Sequence, residues 1–389
     1  MHTERSEKAA ACGTPLTSVW PSGHFDWQKD ISGCGVFGVI SRSRALIPGT
    51  VPVEAMRLMR DRGNGLGGGF AAYGIYPEFA HLYAFHLMCD DEDALERGAR
   101  TLAEHFDIHH SEPVPTRKVA RVGDAPLLRR FFVKPKEVRT RWAFASDDDY
   151  VVNAVMFINA RVPGVFVASS GKNMGAFKGV GYPEDMAEFY RLDEYKAYIW
   201  TAHNRFPTNT PGWWGGAHPF CLLDTGIVHN GEISSYGINR RYLAEHGYEC
   251  VLQTDTEVVA YLLDLLIRRH GLSREIAAQV FAPPLWEEID AMPRERREHF
   301  TALRTVYGSA MLGGPFAILV SDGRGLMGLN DRMKLRPLVV GEHGDTVYMS
   351  SEESAIRRVC PDVTRVWTPR AGEPVMVDLD SPRPAAETL

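Results

Sequence analysis

Several features that define specialised protein classes are missing from this 389-residue chain. Its six cysteines are scattered and form no C-x-x-C pair, which excludes a zinc ribbon and a thioredoxin-type motif and argues against a disulfide framework. The 14 histidines show no metal-ligand spacing, so we expect no metal site. No apolar run approaches the ~18 residues that cross a bilayer. The first 20 residues lack the apolar segment of a secretory signal, and we therefore expect a cytoplasmic protein.

Strong net charge and nucleotide-binding loops are missing as well. The formal net charge of −6 gives no electrostatic reason to expect a nucleic-acid partner. There is no G-x-x-x-x-G-K-[ST] loop for ATP. A formal G-x-G-x-x-G occurs within residues 63–68, but it follows a helical pattern and precedes an apolar run, the reverse of the strand-turn-helix order of a dinucleotide site. We interpret it as a tight helix-to-strand turn.

What the chain does contain is enough apolar sequence, 44% of its residues, for a large core. The order of the apolar patterns indicates sheets flanked by helices rather than a regular βαβ series. Strands are predicted at 34–40, 150–159, 316–320, 326–329, 337–340 and 347–350, and helices at 52–61, 91–106, 235–246, 256–269 and 285–304.

Four short motifs carry residue types suited to amide chemistry, and each has a simpler structural interpretation. Cys34 lies between two glycines at the start of an apolar strand, and it could act as a nucleophile or simply be a small buried apolar residue. Arg205 ends a strand and could bind a carboxylate or form a surface ion pair. Asn230-Gly231 could supply two N–H donors for an oxyanion, or it could form an ordinary turn. Asp255 opens a helix and could hold an ammonium, or belong to an N-terminal cap.

Taken in order, these motifs resemble the class II glutamine amidotransferases, which are N-terminal-nucleophile hydrolases. The ordered set is Cys-Gly-Val-Phe-Gly at 34–38, His-Asn-Arg-Phe-Pro-Thr-Asn-Thr at 203–210, His-Asn-Gly-Glu at 229–232 and Thr-Asp-Thr-Glu at 254–257. The stretch 169–239 is closest to the glutaminase domain of glutamate synthase. Asp61 precedes Arg62 where the family usually has histidine, which leaves the role of Arg62 open, and 81–164 matches no part of the family that we can identify.

The resemblance implies an α+β fold, a four-layer α/β/β/α sandwich of two antiparallel sheets. It implies a propeptide or N-terminal extension at 1–33 and an amidotransferase domain at 34–378 with an insertion at about 81–164. The tail at 379–389 is expected to be disordered, as chain ends commonly are. A segment such as 81–164 could pack over the pocket or dock a partner. The resemblance also assigns the site residues: Cys34 as nucleophile, Asn230 and Gly231 as the oxyanion donors, and Arg205, Phe206, Thr208 and Asp255 as the glutamine-binding residues.

By the same resemblance, the α-amine of Cys34 is the base, which requires cleavage before this residue. Cys12 is an alternative nucleophile, but it lacks a following apolar strand. Because no second catalytic domain can be recognised, we expect ammonia to pass to a separate glutamate synthase-type subunit. No cofactor is expected on this chain, whereas FMN and an iron–sulfur cluster are expected on the partner. The alternatives are a non-catalytic regulatory or binding subunit that is not processed, a hydrolase of another amide, and a glutaminase without a partner.

Overall fold

Two antiparallel sheets stacked face to face form the centre of the protein. A computed structural model describes residues 33–137, 144–207 and 212–381, all within the unit 32–389. Strands are numbered along the chain. The seven-stranded sheet has the order β17 (Arg365–Trp367), β15 (Val339–His343), β16 (Thr346–Ser350), β1 (Gly35–Ser41), β10 (Ile199–Asn204), β3 (Gly68–Tyr73) and β8 (Met174–Gly179). The five-stranded sheet has the order β11 (Phe220–Leu222), β12 (Thr225–Gly231), β13 (Phe316–Ser321), β14 (Gly325–Asn330) and β18 (Val375–Asp378).

Helices cover the outer face of each central sheet. The helices are α1 (Thr50–Leu58), α2 (Glu92–His105), α3 (Asp147–Arg161), α4 (Pro183–Phe189), α5 (Tyr236–Glu245), α6 (Asp255–Leu263), α7 (Arg274–Phe281), α8 (Trp286–Asp290), α9 (Arg294–Val306) and α10 (Glu353–Val359). A π-helical turn, Asp264–Arg269, extends α6, and 3-10 turns lie at Arg60–Arg62, Pro77–Phe79, Leu192–Glu194 and Gly308–Ala310. The helix predicted at 285–304 is thus divided into α8 and α9. Pro293, which precedes α9, accounts for the break, because proline is tolerated only at a helix start.

Strand β1 shows why the sequence folds into four layers. Val36 and Ile40 belong to the cluster between the two sheets, whereas Phe37 and Val39 belong to the cluster under α1, α4 and α10. A strand buried on both faces reads as a continuous apolar run, which is the pattern predicted for 34–40. Each such side chain contributes about 1.5–3 kcal/mol by leaving water. The α/β/β/α sandwich of two antiparallel sheets is therefore confirmed.

One predicted strand is wrong. Residues 150–159 were expected to be extended because they are rich in β-branched and apolar side chains, but they lie in α3. Ser146 caps this helix by accepting a hydrogen bond from the Asp149 N–H, and the three residues of the first turn are aspartates, which the helix dipole favours. The helix is buried on several sides, so its sequence lacks the polar stripe that would have indicated a helical period.

The insertion 81–164 supplies most of a third sheet. Its order is β5 (Phe106–Pro113), β6 (Leu127–Pro135), β4 (Tyr83–Cys89) and β7 (Val165–Ser169), and α2 and α3 contribute to one apolar cluster with the helices on the five-stranded sheet. A two-stranded ribbon pairs β2 (Ile47–Pro48) with β9 (Lys196–Ala197). None of the described helices is both long and apolar enough to cross a membrane.

The described chain continues past residue 378. Leu379 is buried in the cluster between the two sheets, and its N–H donates to the Arg324 carbonyl. Residues 382–389 of the predicted tail and 1–32 of the predicted propeptide lie outside the described residues.

Candidate active site

A cavity of about 480 Å³ opens at one end of the two central sheets, where β1, β10 and β12 begin or end. Five of the seven residues predicted for the site line it, and none of the described residues of 81–164 does. The lining residues are Cys34, Arg205, Phe206, Pro207, His218, His229, Gly231, Glu232, Ile233, Tyr236, Arg240, Gln253, Thr254 and Asp255.

Cys34 lies immediately before β1, with its thiol in the cavity. The Phe206 N–H donates a hydrogen bond to Sγ at 3.2 Å. Burial raises the pKa of the Cys34 thiol, and this effect outweighs the Phe206 N–H and the Arg205 charge, which both lower it. The group is therefore a thiol at neutral pH, and a base must remove its proton before it can act as a nucleophile.

Arg62 fixes the backbone of Cys34, which gives this arginine the role that the sequence left open. Its Nε donates to the Cys34 carbonyl at 3.1 Å, and its guanidinium pairs with Glu352 at 2.8 Å. The Gly33 N–H also donates to the Arg62 carbonyl at 3.3 Å. Two distant segments of the chain, at Arg62 and Glu352, thus hold the position of Cys34.

Asn230 and Gly231 lie at the end of β12 and not in a turn. The Asn230 amide donates to Ser351 Oγ at 3.0 Å, and the same hydroxyl accepts the Val36 N–H at 3.1 Å, so the amide is tied to β1. The next residue, Glu232, donates its N–H to Pro315 in the strand-pairing direction. Because hydrogen-bonding directions alternate along an antiparallel pair, the Gly231 N–H points away from β13.

Position 231 also requires glycine. Its φ is +145°, and a Cβ there would lie 2.0 Å from the Pro315 carbonyl oxygen. Only glycine can adopt this backbone conformation so close to a neighbouring strand.

Two opposite charges flank the cavity. Arg205 is only 4% exposed, which removes the alternative of a surface ion pair, and its backbone N–H donates to the Gly67 carbonyl. Asp255 is the first residue of α6, and its carboxylate accepts the Ile233 N–H at 3.0 Å. Thr254 caps α6 through its side chain, so the cap interpretation holds for Thr254 while Asp255 still faces the cavity. The cavity can therefore bind a carboxylate and an ammonium together.

Three buried histidines form a layer beside the cavity. The His203 and His218 rings stack with centroids 3.9 Å apart. His218 Nε2 and His229 Nδ1 lie 2.8 and 3.1 Å from the Thr256 hydroxyl, which donates to Asp255 at 3.2 Å. Burial lowers the pKa of all three imidazoles, that of His203 to about 3. They are neutral, so they support Thr256 without adding charge beside Arg205.

The structure thus brings together Cys34, Arg205, Phe206, Gly231 and Asp255 around the cavity, with Asn230 buried beside it. Thr208 lies outside the described residues. Sequence reasoning gave no role to Ser351, Glu352 or the histidine layer. His203 and His229 lie in the quoted motifs, but only the tertiary contacts reveal what these residues hold. Among the described residues, no group of three or more His, Cys, Asp or Glu is arranged to hold a metal ion.

Comparison with known proteins gives a family. The model of the class-II glutamine amidotransferases matches residues 120–386, well over half of the chain. The match begins after Cys34 and therefore does not test the role of this residue.

Individual relatives differ in how much they share. An uncharacterized protein of Archaeoglobus fulgidus is 54% identical over 357 residues, 91% of this chain and 94% of that one. The glutamate synthase [NADPH] large chain of Bacillus subtilis is 26% identical over 242 residues, 56% of this chain but only 15% of that one. The solved glutamine phosphoribosylpyrophosphate amidotransferase of B. subtilis aligns with a TM-score of 0.46 at 16% identity, over 89% of this chain and 47% of that one. On the family match, the protein belongs to the class II glutamine amidotransferases.

Proposed function

We propose that the protein is a cytoplasmic glutaminase that hydrolyses L-glutamine through a Cys34 thioester and supplies ammonia to a separate synthase subunit. The observation that carries this proposal is the convergence of a thiol, Gly231 and two opposite charges on one cavity of about 480 Å³, with the Asn230 amide buried beside it. Glutamine carries a matching set of groups: an amide, an α-carboxylate and an α-ammonium.

The first step is attack of Cys34 Sγ on the side-chain amide carbon of glutamine. The thiol proton passes to the α-amine of Cys34, and from there to the leaving nitrogen, so that ammonia departs and a γ-glutamyl thioester remains. Water then hydrolyses the thioester to glutamate and regenerates the thiol. A free α-amine has a pKa of about 7.7–8.0, so part of it is neutral near pH 7 and can accept the proton. A peptide nitrogen cannot, and this mechanism therefore needs cleavage of the Gly33–Cys34 bond.

The oxyanion formed in this step needs hydrogen-bond donors that are already in place. The Asn230 amide, held by Ser351, and the Gly231 N–H, turned away from β13, are suited to this role. Arg205 would bind the α-carboxylate and Asp255 the α-ammonium, with Phe206 and Thr208 completing the pocket. These two charges distinguish glutamine from a simple amide.

The acceptor of the ammonia is proposed from the glutamate synthase relative. The aligned part of this chain, 56% of its residues, matches 15% of that protein. A synthase subunit of that type, on another chain, is the acceptor that we propose. FMN and an iron–sulfur cluster would belong to that subunit, with no cofactor on this one.

The mature N-terminus together with glutamine turnover tests the proposal. Mass spectrometry of the purified, active protein is expected to find Cys34 as the first residue, and the protein is expected to release glutamate and ammonia in equal amounts. Glutamine hydrolysis by a chain that still carries residues 1–33 would contradict the proposed base. An unprocessed chain that binds glutamine without turnover would instead support a regulatory or binding subunit.

A further inference from the structure

Lys178 is a buried cation that the proposed mechanism does not use. It lies on β8, where Met174 faces the other central sheet and Phe177 faces the helices, so the alternation of side chains directs Lys178 inward. The residue is 0% exposed. Burial lowers the pKa of its ammonium to about 7.

The surroundings of this ammonium are unusual for a buried lysine. Among the described residues, no carboxylate forms an ion pair with it. Its Nζ lies 4.4 Å from the ring centre of Phe220 and 4.9 Å from that of Phe166, which come from two other sheets. Its hydrogen bond goes to the Gly215 carbonyl at 3.0 Å. Burying a cation is costly unless it is compensated, so these contacts define a specific position for the side chain.

Gly215 connects Lys178 to the glutamine cavity. Three residues later, His218 lines the cavity and its Nε2 contacts the Thr256 hydroxyl at 2.8 Å. That hydroxyl donates to the Asp255 carboxylate at 3.2 Å. Since a hydroxyl has a single proton to give and a carboxylate can only accept, Thr256 donates to Asp255 and accepts from the His218 and His229 imidazoles.

We infer that Lys178 is a positioning residue for substrate binding: it holds Gly215, and through His218 and Thr256 it sets the place of the Asp255 carboxylate. This inference rests on the proposed function, because it takes Asp255 as the group that binds the α-ammonium of glutamine. Lys178 contacts no substrate atom and acts on affinity rather than on the chemical step.

Replacing Lys178 with methionine tests this role, since Lys178→Met keeps the length of the side chain and removes its donor. Lys172→Met is the matched control, because Lys172 also lies over an aromatic ring, 4.3 Å from the centre of Tyr83, but outside the cavity. In the processed enzyme, we expect Lys178→Met to raise KM for glutamine about tenfold with kcat nearly unchanged, the signature of lost ground-state binding. The Lys172→Met enzyme is expected to keep the wild-type KM.

Alkylation of Cys34 separates positioning from a general structural effect. A chloroketone with the glutamine α-carboxylate and α-ammonium should inactivate Lys178→Met about tenfold more slowly than wild type, while iodoacetamide, which needs neither charge, should react at the same rate. A wild-type KM in Lys178→Met, or a parallel loss of both alkylation rates, would overturn the inference. A wild-type protein without glutamine turnover would instead overturn the proposed function.

Thr256 provides a second test that does not depend on the folding of Lys178→Met. Thr256→Ser keeps the hydroxyl that joins His218 to Asp255, and Thr256→Val removes it. We expect the valine variant to show the raised KM and the serine variant to restore the wild-type value. Equal KM values in the two variants would contradict the connection.

Discussion

Two cavities of this protein differ in size and in chemistry, and the smaller one is the candidate site. The larger, about 880 Å³, lies between the insertion and the core and is lined by residues such as Ala160, Phe166 and Trp213, with none of the residues predicted for the site. The smaller, about 480 Å³, contains a thiol, an arginine and an aspartate. Volume alone would have selected the wrong one. What identifies the site is the convergence of groups that match the two ends of a single substrate.

The largest expected effect is the loss of the nucleophile from the smaller cavity. Cys34→Ala should lower glutamine turnover about 10⁴-fold or more, since no other described side chain that lines the cavity can form the thioester. Cys12→Ala is the control, because Cys12 is the alternative nucleophile in the sequence. Ammonia release from each purified variant measures both. Loss of activity in Cys12→Ala, with Cys34→Ala active, would reverse the assignment.

The second-largest effect is expected from the oxyanion donors at the smaller cavity, neither of which lines the larger one. Asn230→Ala should lower kcat about 10²–10³-fold, because an oxyanion donor acts mainly in the transition state. Asn230→Asp keeps the shape and removes the N–H donor, so it should be equally impaired. Steady-state kinetics and a melting curve of each variant give the measurement. An active, folded aspartate variant would exclude Asn230 as a donor.

A smaller effect is expected from the charges that recognise the two ends of glutamine. Asp255→Asn should raise KM about 10–100-fold, the range for a hydrogen bond to a charged group. The preference for glutamine over the analogue that lacks the α-amine should fall by the same factor. Competition between the two compounds measures this ratio. An unchanged preference would show that another group binds the ammonium.

The smallest effect is expected from the larger cavity, and it could break the comparison. Ala160→Phe places a ring in that cavity from α3, at a half-buried helical position. Glutamine kcat/KM should change by less than about twofold, because the two cavities share no lining residue, although Phe166 and Gly215, which contact Lys178, line the larger one. A large loss of activity in a folded Ala160→Phe protein would show that the larger cavity is coupled to the catalytic site.

The sequence predicted the central architecture because local pattern and tertiary environment agree there. The run at 34–40 is apolar throughout, and its residues 35–40 are buried on both faces of the strand. The prediction of a strand at 150–159 was wrong because the β-branched composition of this segment favours a strand, whereas the cap at Ser146, the acidic first turn and the packing favour a helix. The cap and the packing decide the outcome.

The candidate site was predictable where a motif carries the reacting group itself. Cys34 falls into this class, and Arg205 was predictable in the same way as a charge that would contact the substrate. The residues that hold Cys34 in place were not predictable, because Arg62 and Glu352, which are 290 residues apart in the sequence, come together beside it only in the folded chain. Lys178 lies in the stretch 169–239 that carries the resemblance but was given no role, since a lysine in a strand is usually solvated.

The contact between Arg62 and the Cys34 carbonyl has a consequence for maturation. Chain ends ordinarily fray, because nothing beyond them restrains the last residues. Here the restraint acts on the carbonyl, which stays with the enzyme when the preceding peptide bond is cut. Removal of residues 1–33 would therefore create a new chain end that is already immobilised. The α-amine of Cys34 would stay beside the thiol of the same residue without any later ordering step.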